Sequence, residues 1–153
     1  HGPVAARIVG APEFTLPAFA CGCGQIGCLD AVGSARGMER LHQHLHGVQA
    51  DSTQIVAGWQ SGLAAEHHTI AIWLELLAGP LAMVENLLGA GVMAVGGGLS
   101  NAPALIAALD LAVRARILRK FDRPLVVPAQ CAIEPGLVGA AILGMGRLPA
   151  EAA

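Results

Sequence analysis

Three cysteines crowd into eight residues, Cys21-Gly22-Cys23-Gly24-Gln25-Ile26-Gly27-Cys28. Three thiolates at this spacing can wrap one tetrahedral ion, and the interleaved glycines let the backbone make the tight left-handed turns such a wrap demands. Sulfur donors favour zinc over magnesium or calcium. A fourth ligand is needed, and His1 is the best candidate. A closed four-ligand site of this type is structural rather than catalytic, and closing it contributes on the order of 10 kcal/mol to folding at neutral pH. The competing reading is a redox pair or a loose cysteine cluster. Clustering of three of the four cysteines favours a metal site in a reducing compartment over a disulfide framework. A zinc ribbon that binds nucleic acid would need a second cysteine pair and basic neighbours, and the sequence has neither.

The second candidate is Gly96-Gly97-Gly98, which follows the apolar run Val92 to Val95. Side-chain-free residues after a buried strand let a ligand approach the backbone, and the helix beyond offers unpaired N–H groups at its start. The plain alternative is an ordinary strand–turn–helix corner. Other chemically able residues read as structural. His42, His44 and His46 alternate, so on a helix neighbours in the series point to different faces, and a solvated helix end is expected. His67-His68 reads as surface, Cys131 as a buried thiol, and Trp59 and Trp73 as core or dimer contacts. Arg36 is expected in a salt bridge.

The elements that must position these groups follow from periodicity and punctuation. Pro3, Pro12 and Pro17 keep His1 to Ala20 out of helix. Asp30 opens a helical segment to about His46, weak between Gly33 and Gly37. Asp51-Ser52-Thr53 caps a helix that places Ile55, Val56, Trp59 and Leu63 on one face and is weakened at Gly62. Ile70, Leu74, Leu77, Leu81, Val84 and Leu88 then recur at steps of four and three, with further apolar residues around them. This helix should be buried nearly all round and kinked or broken at Pro80. Val92 to Val95 is a short strand. Ser100 or Asn101 should cap the next helix, with Pro103 in its first turn, running to about Lys120. Leu125 to Val127 is a second strand, and Gly136 to Met145 a final helix. The order predicts an α/β fold with an at least partly parallel sheet. Three stretches divide the chain: a zinc loop over 1–30, a helical segment over 31–90, and a strand–helix–strand–helix segment over 91–147.

Bulk properties bound the partners. The 153 residues suit one domain with a real core; 54% are apolar, 13% are charged and the net charge is −2. No basic excess is present for nucleic acid, and the composition is not that of a disordered chain. The basic cluster from Arg114 to Lys120 sits where cations complement a helix C-terminus. The most apolar stretch, Ile70 to Val84, is interrupted by Glu75 and Gly79-Pro80, so no membrane span is predicted. A start at His1 in mid-pattern is expected of a fragment or a processed chain.

The run from Cys21 to Cys28, followed by Leu29-Asp30, closely resembles the zinc signature of the ROK family, which holds bacterial hexose and N-acetylhexosamine kinases and sugar-responsive repressors. His1-Gly2-Pro3-Val4 is similar to the second half of that family's Gly-His pattern. Ala94-Val95-Gly96-Gly97-Gly98-Leu99-Ser100-Asn101 resembles its second glycine motif, and Gly136-Leu137-Val138-Gly139-Ala140-Ala141 its closing helix. The resemblance implies the C-terminal lobe of an actin-like (ribonuclease H-like) sugar kinase. It implies zinc on His1, Cys21, Cys23 and Cys28, and sugar contacts from His1 and Asp30. It also implies an adenosine pocket shared by Gly96, Gly97, Gly98, Leu99 and Asn101. The family has Glu after the third cysteine where this chain has Asp30, one methylene shorter.

The family's phosphate loop, Asp-x-Gly-Gly-Thr, and its Asn-Asp pair, which supplies the catalytic base, have no counterpart in residues 1–153. Phosphoryl transfer requires both, together with magnesium. The resemblance therefore implies part of a cytoplasmic, ATP- and Mg2+-dependent hexose kinase acting on N-acetylglucosamine or a related sugar. Such a part needs an N-terminal lobe, is expected to form a homodimer, and should be inactive alone. The alternatives are the effector domain of a sugar-responsive repressor, in which case nucleic acid becomes a partner, and a zinc-stapled dimerisation domain.

Overall fold

A computed structural model describes residues 19–130 and 135–146. His1 and Cys131 lie outside them. The elements in chain order are α1 (Asp30–Gly33), α2 (Ala35–His46), α3 (Ser52–Gln60), α4 (Ala64–Leu88), β1 (Met93–Val95), a 3-10 turn (Gly98–Asn101), α5 (Pro103–Arg114), β2 (Val126–Pro128) and α6 (Pro135–Met145).

The weak point between Gly33 and Gly37 is a true joint. Ser34 takes extended backbone and its hydroxyl accepts from the Gly37 N–H at 3.1 Å, ending α1 and capping α2. A side chain on Gly37 would lie 2.5 Å from the Val32 carbonyl carbon, so only glycine lets α2 fold back against α1. Asp51 caps α3 through a full capping box: its carboxylate accepts from Gln54 N–H at 2.8 Å, and the Gln54 side chain accepts from Asp51 N–H at 3.0 Å. The weakness expected at Gly62 is instead the helix end, since α3 stops at Gln60.

The long helix begins six residues earlier than its apolar stripe, at Ala64, and runs unbroken to Leu88. Pro80 lies inside it. The expected break is overridden by packing: Trp73, Leu76, Leu77, Ala78 and Ala82 are buried in the main core, on both sides of the proline. Burial all round does not hold: Ala71, Glu75 and Gly79 are exposed along one side of the helix. Met83, Val84, Leu87 and Leu88 are exposed. By length and composition alone this helix would suit a membrane span. In this fold it is the central core helix, in contact with α2, α3 and α5.

β1 and β2 pair in parallel, Met93 with Val126, Ala94 with Val127 and Val95 with Pro128, connected through α5. The sequence started each strand one residue early, and ended the second one residue early as well. α5 has Pro103 at its start as expected, but Ala102 precedes it and no side chain caps it. Ser100 donates to the Gly97 carbonyl at 2.7 Å, so its hydroxyl closes the 3-10 turn instead. The helix ends at Arg114, six residues short of Lys120. Arg114 pairs with Asp110 and donates to the Phe121 carbonyl, while Arg116 pairs with Glu75 on α4. The basic cluster thus ties down a turn rather than decorating a longer helix.

His42 corrects a second expectation. It is 2% exposed, not solvated. Its Nδ1 lies 2.8 Å from Thr69 Oγ1, and His46 Nε2 lies 3.2 Å from the same oxygen. Thr69 gives its own proton to the Ala65 carbonyl at 3.0 Å, so both imidazoles must donate to it. His42 and His46 are four apart and share a helix face, which the alternate spacing of the series conceals. Two groups on α2 are thereby latched to α4.

Thr69→Val should orphan both imidazole donors and lower stability by about 2 kcal/mol, read by urea denaturation. Burial, reinforced by His42 and His68, holds the His46 imidazole below its ordinary range. The folded state therefore binds fewer protons than the unfolded chain, so His46 contributes stability above about pH 6.5 that is lost as pH falls toward its folded value. The melting temperature should drop between pH 7.5 and 5.5, and less steeply in His46→Gln; equal slopes would refute the assignment.

Candidate metal centre and glycine turn

The cysteine loop is a tight hairpin built almost wholly from backbone. Ala20 and Ile26 form an antiparallel bridge. Cys21 N–H donates to the Gln25 carbonyl at 2.9 Å, Gly24 N–H to the Cys21 carbonyl at 3.0 Å, and Gly27 N–H to the Phe19 carbonyl at 2.9 Å. Gly24 and Gly27 have φ of 86° and 74°, left-handed turns that a side chain would strain. The loop is held to α2 by Arg40, a residue that sequence reasoning missed. Its guanidinium donates to the carbonyls of Ala31 at 2.8 Å and Ala20 at 3.3 Å and lies 5.3 Å from the Phe19 ring centre.

This scaffold gathers the three sulfurs within 4.8 Å of one another, and Cys23 and Cys28 approach to 3.6 Å. None is in a disulfide. A tetrahedral zinc with Zn–S bonds near 2.3 Å sets sulfurs about 3.8 Å apart, so the donor set fits zinc in type and spacing. Cys21 and Cys28 are buried and Cys23 is exposed. A hydrogen bond from the Gln25 backbone, helped by Cys21 and Cys28, lowers the Cys23 thiol. Burial, then hydrogen bonds with Cys23 and Cys21, pushes Cys28 up to about 11. Without a cation the exposed Cys23 gives up its proton more readily than the buried Cys28.

Asp30 opens α1 directly after the loop, and its Oδ2 lies 3.9 Å from Cys21 Sγ. The carboxylate is exposed, so the acid expected at the sugar sits against the sulfur cluster and faces outward. His1, the expected fourth ligand, falls outside the described residues. Arg36, expected in a salt bridge, has no ion-pair partner among the described residues. It borders a polar groove of about 710 Å3 beside the loop, with Glu39, Arg40 and Asp51.

The glycine turn lies between two further grooves. Gly97, with φ 81°, turns the chain from β1 into the 3-10 segment. On one side Gly98, Leu99 and Asn101 face Ser52, Thr53 and Gln60 of α3 across about 640 Å3. On the other, Gly96 to Leu99 face Gly33 to Arg36 and Trp73 across about 530 Å3. Leu99 is buried in the core while Asn101 is exposed. The α3 residues opposite Asn101 carried no signal in the sequence beyond their capping role.

The ROK family model matches residues 6–146. The chain belongs to the ROK family. It is similar to the N-acetyl-D-glucosamine kinase of Pasteurella multocida, 33% identical over 131 residues that cover 86% of this chain and 43% of the kinase. Among solved structures it resembles a ROK hexokinase from Thermus thermophilus, with TM-score 0.67 and 30% identity over 84% of this chain and 44% of that one. It also shares its fold with a ROK family glucokinase from Streptomyces griseus in complex with glucose and AMPPNP, with TM-score 0.66 and 23% identity over 90% of this chain and 49% of that one. The chain thus spans less than half the length of the proteins it matches.

Two outcomes follow from the loop. In metal-free protein at pH 7.5, a limiting alkylating reagent should modify Cys23 first and Cys28 last, as read by peptide mass spectrometry. Arg40→Ala should cost about 2 kcal/mol and speed alkylation of Cys28, because the loop loses two charge-assisted hydrogen bonds. Unchanged accessibility of Cys28 would show that Arg40 does not hold the loop.

Proposed function

We propose that this chain is the C-terminal lobe of an ATP-dependent hexose kinase acting on N-acetylglucosamine or a related hexosamine. The observation that carries the reading is the gathering of Cys21, Cys23 and Cys28 beside Asp30, in a family member whose Pasteurella multocida relative is an N-acetyl-D-glucosamine kinase. That kinase relationship favours this reading over a repressor's effector domain.

In this reading Cys21, Cys23 and Cys28 hold zinc together with His1. Zinc bound there would fix the orientation of the His1 imidazole. Asp30 accepts a hydrogen bond from a sugar hydroxyl, and its position against the loop makes its placement depend on how the loop is folded. Gly96, Gly97, Gly98, Leu99 and Asn101 form one wall of the adenosine pocket, with Asn101 offering its amide toward the groove shared with Ser52 and Thr53. Phosphate cradling, magnesium and the base that takes the proton from the sugar come from an N-terminal lobe. The whole kinase is cytoplasmic, and a homodimer is expected of it.

Purified chain should carry one zinc, lost in Cys23→Ser together with several degrees of melting temperature. Unchanged metal content would end the zinc assignment. Residues 1–153 alone should show no ATP-dependent phosphorylation of N-acetylglucosamine. Within a full-length kinase containing this lobe, Asp30→Ala should raise KM for the sugar at least tenfold and leave KM for ATP unchanged. A matched rise in both would place Asp30 outside the sugar site.

A further inference from the structure

The spacing that suits a tetrahedral ion also suits a bond between two of its ligands. The sulfurs of Cys23 and Cys28 lie 3.6 Å apart, in van der Waals contact. Their surroundings differ. Cys28 is 1% exposed and sits where the loop passes into α1, its carbonyl accepting from the Ala31 N–H at 3.0 Å. Cys23 is exposed at the tip of the hairpin, between Gly22 and Gly24, and no atom lies within 4 Å of where a side chain on either glycine would be. The Cys23 side chain thus has room to turn onto Cys28, and a small oxidant reaches it from solvent. Cys21 is the poorer partner. Its N–H donates to the Gln25 carbonyl at 2.9 Å and its carbonyl accepts from Gly24 N–H at 3.0 Å, so its backbone is held on both sides. A bond from Cys21 to Cys23 would span one residue, where Cys23 to Cys28 spans four. An accessible sulfur backed by a second sulfur in contact is the arrangement of redox-sensitive thiols.

We infer that Cys23 and Cys28 form a peroxide-sensitive dithiol pair, Cys23 attacking and Cys28 resolving, whose disulfide and a bound metal ion exclude each other. The Cys23 sulfur attacks one oxygen of hydrogen peroxide, the O–O bond breaks, and Cys23 becomes a sulfenic acid as one water leaves. The Cys28 sulfur then attacks the Cys23 sulfur. The S–S bond forms, the S–O bond breaks, and the departing hydroxide takes the Cys28 proton as a second water. Peroxide gains two electrons and the dithiol loses two. Joined to each other, the two sulfurs no longer serve as thiolate ligands, which leaves Cys21 and His1, too few for a closed four-ligand site. A reducing thiol reverses the bond by exchange, so the loop can regain its ion. The exclusion of the ion rests on the reading of this loop as a zinc site; the pairing of the two cysteines does not.

The test treats zinc-loaded and metal-free protein with hydrogen peroxide, blocks remaining thiols by alkylation, and maps unreduced peptides by tandem mass spectrometry while a chromogenic chelator follows zinc. The expected product is a disulfide between Cys23 and Cys28, at least tenfold more abundant than any other pairing and reversed by dithiothreitol. Zinc should leave in step with the disulfide, and metal-free protein should oxidise at least tenfold faster than the loaded form. In Cys28→Ser a sulfenic acid should persist at Cys23, captured by dimedone, whereas Cys21→Ser should still form the bond. Wild-type protein unfolded in urea should lose the pairing preference, a comparison that separates folded geometry from closeness in sequence and needs no variant to fold. A dominant bond to Cys21, Cys23 driven to sulfinic acid without a crosslink, or the same preference in urea overturns the inference. So does a disulfide that forms while zinc stays bound. Protein that binds no zinc at all ends the metal reading instead, and the peptide map of the metal-free form still decides the pair.

Discussion

The candidate metal centre depends on one helix being held at both ends of a chain of polar contacts. Arg40 projects from α2 to the carbonyls on either side of the cysteine loop, and His42 and His46 project from the same helix to Thr69 on α4. The loop contributes little apolar burial of its own. Its small cluster is Cys21, Cys28 and Ala31 with Phe19 against them, separate from the main core. Sulfurs within bonding distance of a common ion therefore owe their arrangement to backbone hydrogen bonds and to a guanidinium that links the hairpin to α2. A metal would add to a geometry already drawn, which lowers the ordering entropy that binding must overcome.

The glycine turn is positioned by the same logic applied to the strand pair. Asp110, 5% exposed on α5, fixes the start of β2 through two backbone donors, and β2 in turn sets the register of β1. A buried carboxylate satisfied by N–H groups and Arg114 avoids the desolvation penalty of an isolated charge. The turn that follows β1 inherits that precision, and Ser100 closes it from within. Both candidate sites thus rest on side chains that make no claim to chemistry.

The sequence disclosed what local rules determine. Cysteine spacing, the Asp51 cap, the joint near Ser34 and the four-and-three stripe of α4 are encoded within a few residues of where they act, and the strands alternating with helices led to the parallel pair. It misled wherever tertiary contacts decide. Pro80 should stop a helix, yet core contacts on both sides carry α4 through. His42 looks solvated until Thr69, 27 residues away, supplies a buried partner. Arg40 carried no local mark, because its acceptors are carbonyls that only the folded hairpin brings together. Ser100 had a cap's identity but spent its hydroxyl on the turn.

Buried and exposed apolar surface are unevenly distributed among the described residues. Its core is well made, with Met38, Leu41, Ile55 and Leu105 fully buried. Yet Leu87, Leu88, Val92 and the apolar α6 residues Leu137, Ile142 and Leu143 are exposed, far from the core's own needs. Scattered exposed leucines need no explanation, but among the described residues a core helix bare at its end and an α6 with several exposed apolar side chains concentrate exposed apolar surface in the segment that follows Ala82. The cysteine loop shows the reverse, with backbone groups answered within the hairpin and by Arg40.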